Sequence, residues 1–461
     1  MHYDVVIIGA GMSGLAAGIR LAYFGKSVCI LERHYAYGGL NSYYNLAGRE
    51  FDVGLHALTN YTPPGSHSGP LVKMLRQLRL TRDELQLCEQ RFSEVRFPGK
   101  TLRFSNDPAM LFAEVEREFP RSADDFRNFV RFIREFDDTP LNHAYQSSRR
   151  VLEAQIHDPI LREMLLCPVM IYGCAEEHDM DFQSFVIIFK GIFLEGFSRP
   201  LAGIRPIIKT LVRKFRSNGG KIRMQCGVES LQIDSERVSQ IHLTTGDVMT
   251  ADTVISCAGY PETMRLCHKN NRNPSPSSEV GQVSYVETHV VLDVLPTELG
   301  HKSSIVFFND SDTFTYAKPN QPVDLRSGVI CCPNNYEGHE SLPEGVLRLT
   351  WLANSDRWQE LDDSTYAETK KNYLPSVFDR LEQSAPGLRD HVVFTDMFTP
   401  RTIQRYTGRL NGAVYGSPRK QWDGRTPYDN LFICGTDQGY VGIVGALISG
   451  ITMANIHVLS Q

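Results

Sequence analysis

The chain has 461 residues, of which 42% are hydrophobic and 22% charged, with 48 Lys and Arg against 53 Asp and Glu for a formal charge of −5. These are ordinary globular values with enough chain for two or three domains of core, which excludes a disordered tail, a collagen-like chain and a coiled-coil rod. The balanced charge, with no dense basic run, gives no footing to a nucleic-acid partner. Ten cysteines without a CxxC pair or zinc-ligand spacing read as reduced thiols in a reducing compartment, and no metal site is expected.

The chain opens on Tyr3-Asp4-Val5-Val6-Ile7-Ile8, an apolar run entered abruptly, as buried parallel strands are. A glycine turn follows, then a helix of small residues over 15–24, then a strand over 27–31 ending at Glu32; together these make one βαβ unit. Residues 5–19 carry no charge, but no basic segment precedes them and glycines interrupt them, so they are not read as a signal peptide. Residues 62–69 are a loop by composition, and residues 107–200 read mostly as helix. Within that stretch Ser122-Ala123-Asp124-Asp125 resembles a capping box with Asp125 in place of Glu. Phe126, Phe129, Val130, Ile133 and Phe136 then share one helical face and read as core.

Near Gly203 the texture returns to alternating helix and strand. A helix over 207–215 ends at Gly219-Gly220, and strands follow over 221–224, 231–233, 240–244 and 253–256, the last closed by Cys257-Ala258-Gly259. Residues 270–278 are a polar linker. Residues 283–400 mix strands (288–294 and 346–352) with a helix over about 365–383, and a last strand over 430–434 precedes a final helix. The uncharged stretch 439–456 is long enough to cross a membrane, but Gly439, Gly442, Gly445 and Gly450 lie inside it and Asp437 stands just ahead. It reads as a buried helix that begins at a ligand. Nucleotide-type segments therefore lie at both ends and in the middle. The expected fold is α/β: a discontinuous Rossmann-like dinucleotide domain from residues 1–90, 200–275 and 410–461, with an inserted α+β substrate domain from 91–199 and 276–409.

The chemistry starts at Gly9-Ala10-Gly11-Met12-Ser13-Gly14, a GxGxxG that follows a strand, opens a helix and has Glu32 at the end of the next strand. Gly9 permits the tight turn, Gly11 lets a pyrophosphate approach the backbone, and Gly14 lets helix and strand pack closely. The helix N-terminus offers free N–H groups to the phosphates. Glu32 can accept both hydroxyls of an adenosine ribose and would repel a 2′-phosphate. This motif alone does not separate NAD from FAD; the rest of the chain favours FAD. Gly38-Gly39 allows a loop to lie flat against a long ligand. At the far end, Gly435-Thr436-Asp437 places a carboxylate where a ribityl hydroxyl could donate to Asp437. A helix opening near Gly442 would aim its positive end at a flavin, worth about 1–2 kcal/mol for a reduced ring. No second GxGxxG follows a strand, which argues against a separate nicotinamide domain.

Gly9 to Gly14, Glu32, Gly38-Gly39 and Gly435-Thr436-Asp437 resemble the flavin-containing amine oxidase and phytoene desaturase superfamily, as do the middle segments Gly219-Gly220-Lys221-Ile222, Cys226-Gly227-Val228 and Ala251-Asp252-Thr253-Val254-Ile255. The resemblance implies an FAD domain of the GR2 type. With the motifs above, it points to cofactor contacts from Gly9, Gly11, Ser13, Gly14, Glu32, Arg33, Gly38, Gly39, Leu40, Asn41, Val228, Gly435, Asp437, Gly442, Ile443 and Val444, with Val228 meeting the adenine through its backbone. Gly38 to Tyr44, Phe51-Asp52-Val53-Gly54-Leu55-His56, Thr399 to Tyr406 and Gly412 to Gly416 are more closely similar to carotenoid isomerases and retinol saturases. Leu40 stands where desaturases and amine oxidases commonly carry Arg. That favours chemistry on carbon–carbon double bonds of a long apolar isoprenoid.

On this resemblance, His56 is the expected proton-handling residue and Tyr440 a second catalytic or substrate-contacting one; Arg199 and Gly203 are placed on the flavin's other side. A structural role for His56 competes with the catalytic one. The Phe- and Ile-rich stretch 182–197 fits a hydrophobic tunnel and plain core packing equally well. Residues 204–216 read as an amphipathic helix beside the FAD domain, with a membrane-surface role as the alternative. The competing functions are an amine or protoporphyrinogen oxidase on the same scaffold and a non-catalytic lipid-binding flavoprotein. A cytoplasmic protein, in peripheral contact with the inner face of a membrane, is expected; substrate identity, reaction direction, electron acceptor and oligomeric state are left open.

Overall fold

The computed structural model describes residues 1–267, 277–339 and 342–460. The apolar run that opens the chain forms the strand His2–Ile8, with Val28–Leu31 parallel to it on one side and Val248–Ser256 on the other. Ile7 is level with Ile30 and Ile255, and all three are fully buried. Strands apolar on both faces must be covered on both, as in a parallel α/β sheet. Lys221–Arg223 extends the sheet beyond Val28–Leu31, and Leu431–Ile433 pairs in parallel with Val248–Ser256. Val228–Asp234 and Arg237–Leu243 add an antiparallel ribbon. This sheet therefore draws on residues 2–31, 221–256 and 431–433.

Helices share the core against it, Pro70–Leu78 among them through Leu71, Met74, Leu75 and Leu78. Met12–Tyr23 starts three residues before the predicted helix, because the glycine turn itself forms the first helical turn. The final helix, Gly442–Ala454, lies so close to it that a Cβ on Gly450 would stand 2.0 Å from the Ser13 carbonyl oxygen. Its Ile443, Val444, Leu447 and Ile451 are buried, so this apolar stretch is a core helix. Arg205–Ser217 buries Ile207, Ile208, Leu211 and Phe215 in the same core, which accounts for its apolar face.

A second sheet runs Val392–Phe398, Ser284–Leu292, Gly345–Ala353, Val323–Cys331, Ile305–Asn309, Ser93–Phe97, Lys100–Phe104, antiparallel except where Ile305–Asn309 meets Ser93–Phe97. One face carries the helices Pro159–Gly173 and Phe182–Phe189; the other carries Asp363–Glu382, packed over Trp351 and Trp358. The stretch 182–197 divides between core and cavity wall, with Lys190 and Glu195 also on the cavity side. Phe182, Phe185, Phe189, Phe193 and Phe197 are fully buried in the core, while Ile187 and Ile188 turn toward a cavity.

The capping box at Ser122 does not form. A 3-10 turn, Pro120–Ser122, runs straight into the helix Ala123–Glu135, leaving Ser122 at φ −112°, ψ 9° with no side-chain cap. Asp125 instead accepts hydrogen bonds from the backbone and ring of His157. Most of the expected linker 270–278 lies outside the described residues; Ser277–Glu279 is a 3-10 turn.

Candidate functional site

The carboxyl ends of His2–Ile8, Val28–Leu31 and Val248–Ser256 open on a cavity of about 810 Å³. The amino-terminal turn, the central strands and the segment before the last helix face it together, through Gly9, Gly11 and Ser13, through Val228, and through Gly435. Gly11 has nothing within 4 Å of where a Cβ would be, so open space meets bare backbone there. Gly14 stands behind the wall, where a Cβ would lie 2.1 Å from the Gly9 carbonyl oxygen, and only glycine lets the helix close on the turn.

Glu32 is 8% exposed and also lines the cavity. Its Oε2 accepts from Ala10 N–H and its Oε1 from His34 N–H, each at 2.8 Å. The carboxylate thus props the glycine turn, and a carboxylate has further acceptor positions to offer a ligand. Arg33, Gly38, Gly39, Leu40 and Asn41 complete this wall, with Arg33 donating to the Arg405 carbonyl at 3.1 Å.

A second cavity of about 400 Å³ adjoins the first across Leu40, Asn41, Val53 and Thr436, which line both. Its walls include Ile171, Tyr172, Ile187, Ile188, Tyr285, Val414 and Tyr415. Gly442 and Ile443, the first residues of the final helix, reach it, so the positive end of that helix dipole meets the cavity. Tyr440 lines it too, its ring edge-on to Trp422 at 6.0 Å.

His56 lines this second cavity with both ring nitrogens engaged. Nδ1 lies 2.9 Å from the Cys331 sulfur, and Nε2 lies 3.1 Å from Glu287 Oε2. Glu287 is 3% exposed and pairs with Arg348, whose Nε donates to Oε1 at 2.6 Å, while the Thr350 hydroxyl donates to Oε2 at 3.0 Å. Burial would push the Glu287 carboxyl up, but Arg348 and His56 hold it well below the usual carboxylate range. Burial likewise disfavours a charged His56; the Cys331 sulfur and the ionised Glu287 outweigh it and raise the imidazole to about 9. At neutral pH His56 is therefore an imidazolium held in a fixed orientation.

The backbone carrying His56 is pinned by two buried guanidinium groups. Arg348 donates to the Val53 and Leu55 carbonyls, and Arg199 to the Leu55 and His56 carbonyls while pairing with Asp52. This corrects the expectation for Arg199 and Gly203. Arg199 lies behind the loop, and Gly203 packs on the Asp52 carboxylate, where a Cβ would come within 2.6 Å. Neither lines either cavity.

Two further assignments are corrected. Asp437 is 0% exposed and does not reach the cavity wall. Its Oδ1 accepts from Arg409 and from Ser417 N–H, and its Oδ2 from Tyr260 N–H at 2.6 Å, so its carboxylate is spent on organising the protein. Its neighbour Thr436 faces both cavities instead. Val444 turns into the helix core, because one residue along a helix rotates a side chain away from the face that Ile443 presents.

Glu287, Arg348 and Cys331 were missed in the sequence. A signal existed for the first two: each is a charge within a strand otherwise buried, and such residues are almost never buried unpaired. Their pairing across neighbouring strands, Glu287 opposite Thr350 and His289 opposite Arg348, is visible only in the folded register.

The glycine backbone, the acidic acceptor, the adjoining chamber and the helix N-terminus fit FAD: Gly9, Gly11, Ser13, Glu32, Gly38, Gly39 and Val228 line the larger cavity and would hold its nucleotide half, while Leu40, Asn41, Thr436 and Gly442 line the adjoining chamber and would meet its ring. The chain is 22% identical to a chloroplastic prolycopene isomerase of Daucus carota, over 98% of this chain and 80% of that one. It is 22% identical to an all-trans-retinol 13,14-reductase of Danio rerio, over 98% and 85%. The crystal structure of an oxidoreductase from Methanosarcina mazei superposes with a TM-score of 0.68 over the full length of both chains, at 17% identity. The profile of the flavin containing amine oxidoreductase family matches residues 12–456, nearly the whole chain. The chain belongs to that family and is an FAD-dependent oxidoreductase.

Proposed function

We propose that the enzyme acts on carbon–carbon bonds of a long apolar isoprenoid, as a desaturase, saturase or isomerase. The observation that carries this reading is the chamber beside the final helix, walled by Ile171, Ile187, Ile188, Val414 and Ile448. Its apolar stretch binds a hydrocarbon chain by removing it from water, while Lys73, Asp138, Lys190 and Glu195 line another part of the same wall. The names of the two relatives, an isomerase of prolycopene and a reductase of all-trans-retinol, support the same class of substrate. FAD when bound supplies a hydride donor or acceptor at its N5 position.

The chain's own residues do the rest. Ile187 and Ile188 hold the apolar chain and exclude water. The N-terminus of the final helix favours negative charge at the end of the chamber. His56 holds a proton between Glu287 and Cys331, and Arg348 and Arg199 fix the loop that carries it, so the proton is presented at one place beside the cavity. Tyr440 bounds the chamber next to Gly442 and contacts the substrate.

The test is to incubate flavin-loaded protein, oxidised and dithionite-reduced, with prolycopene, phytoene and all-trans-retinol and to separate the products chromatographically. A shifted double-bond count or geometry in any polyene is the expected result. Peroxide release with amines or a porphyrinogen, with every polyene unchanged, would overturn the reading in favour of an amine or porphyrinogen oxidase.

A further inference from the structure

Cys257 and Cys434 take no part in the chemistry above. Each follows the last residue of a strand, and the two strands are parallel neighbours with Ser256 level with Ile433. The next residues therefore stay side by side, and their sulfur atoms lie 3.1 Å apart. A disulfide needs a separation of about 2.05 Å, so closure asks for a movement of only about 1 Å. Both side chains sit beneath the glycine turn. The Cys257 sulfur is 3.1 Å from where a Cβ on Gly14 would stand, inside the first turn of Met12–Tyr23.

The two thiols differ in access and in chemistry. Cys257 is half-buried and lines the larger cavity; Cys434 is buried. The contact with Cys257, reinforced by burial, holds the Cys434 thiol well above its ordinary range. Cys257 is thus the thiol that meets an oxidant first, and Cys434 is placed to resolve the product.

We propose that Cys257 and Cys434 are a reversible disulfide site in the floor of the FAD cradle, closed by a peroxide and shielded while the dinucleotide covers Cys257. The Cys257 thiolate attacks the peroxide O–O bond, giving a sulfenic acid as the first water leaves. The Cys434 sulfur then attacks the oxidised sulfur, the S–O bond breaks, and the second water leaves. Two thiols and one hydrogen peroxide become one disulfide and two waters, and a small dithiol reverses the change. The bridge would tie Val248–Ser256 to Leu431–Ile433 across 177 residues of chain, at the ends of two strands where the residues that follow the two cysteines, Ala258 and Gly435, line the cavity.

The test uses the full-length protein, as purified and with FAD in saturating excess, treated with hydrogen peroxide and mapped by peptide mass spectrometry. A peptide joining Cys257 to Cys434, lighter by two hydrogens and restored by dithiothreitol, is expected, forming about tenfold more slowly with excess FAD because only the uncovered fraction reacts. In C434S the reaction should stop at a Cys257 that dimedone labels. The proposal is overturned if other cysteines oxidise with no 257–434 cross-link, if C434S gives no labelled Cys257, or if excess FAD leaves the rate unchanged.

Discussion

Replacing His56 with Gln removes a charge and keeps a side chain that can hydrogen bond to Glu287. The folded protein binds the His56 proton more tightly than the unfolded chain does, moving the imidazole from its ordinary 6.5 to about 9. At about 1.4 kcal/mol per tenfold, that preference is worth on the order of 3 kcal/mol of folding free energy. The contribution is complete below about pH 6.5, where both states carry the proton, and fades as the pH rises through 9 and the folded state releases it. His56→Gln should therefore be least stable relative to wild type near pH 6, and the gap should close toward pH 9.5. The assay is thermal unfolding followed by release of FAD fluorescence, in steps from pH 5.5 to 9.5, on both proteins. A gap that stays constant or widens with pH would refute the reasoning, because an uncharged His56 makes no contribution of this form.

Glu287→Gln leaves Arg348, 1% exposed, and His56 without their counter-charge; stranding a buried charge costs about 3–5 kcal/mol, so the unfolding temperature should fall sharply at pH 7. Glu32→Ala removes the acceptor for Ala10 and His34 and the charge facing the ribose, a loss of about 1.5–3 kcal/mol; flavin absorbance after dialysis should drop by about tenfold or more. Gly14→Ala drives a Cβ into the Gly9 carbonyl, which is backbone and cannot swing aside; soluble protein, if obtained, should lack flavin. Ile187→Trp fills the apolar chamber without touching the larger cavity; flavin content should match wild type while polyene turnover is lost, as product analysis would report.

Some parts of this molecule follow from short-range rules and were readable in advance. A glycine turn between an apolar strand and a small-residue helix, with an acid at the next strand end, has one physical use, and the residues involved are within about thirty positions of each other. The buried nature of the last helix was likewise readable, because its glycines suit close helix packing. The split of 182–197, with Phe182, Phe185 and Phe189 in the core and Ile187 and Ile188 at the cavity, was not, since these side chains are all apolar and only their neighbours distinguish them.

The sequence by itself determined the nucleotide cradle, the identity of its ligand class and the interrupted order of the segments that build it, because those depend on local backbone geometry and hydrophobic periodicity. Tertiary structure alone decided that Asp437 faces inward to Arg409 while Thr436 faces the cavities, that His56 is clamped between Cys331 and Glu287, and that Cys257 meets Cys434. Each of those contacts joins residues brought together by strand register or burial, and the charge state of a buried group is set by what surrounds it in space, which sequence distance does not encode.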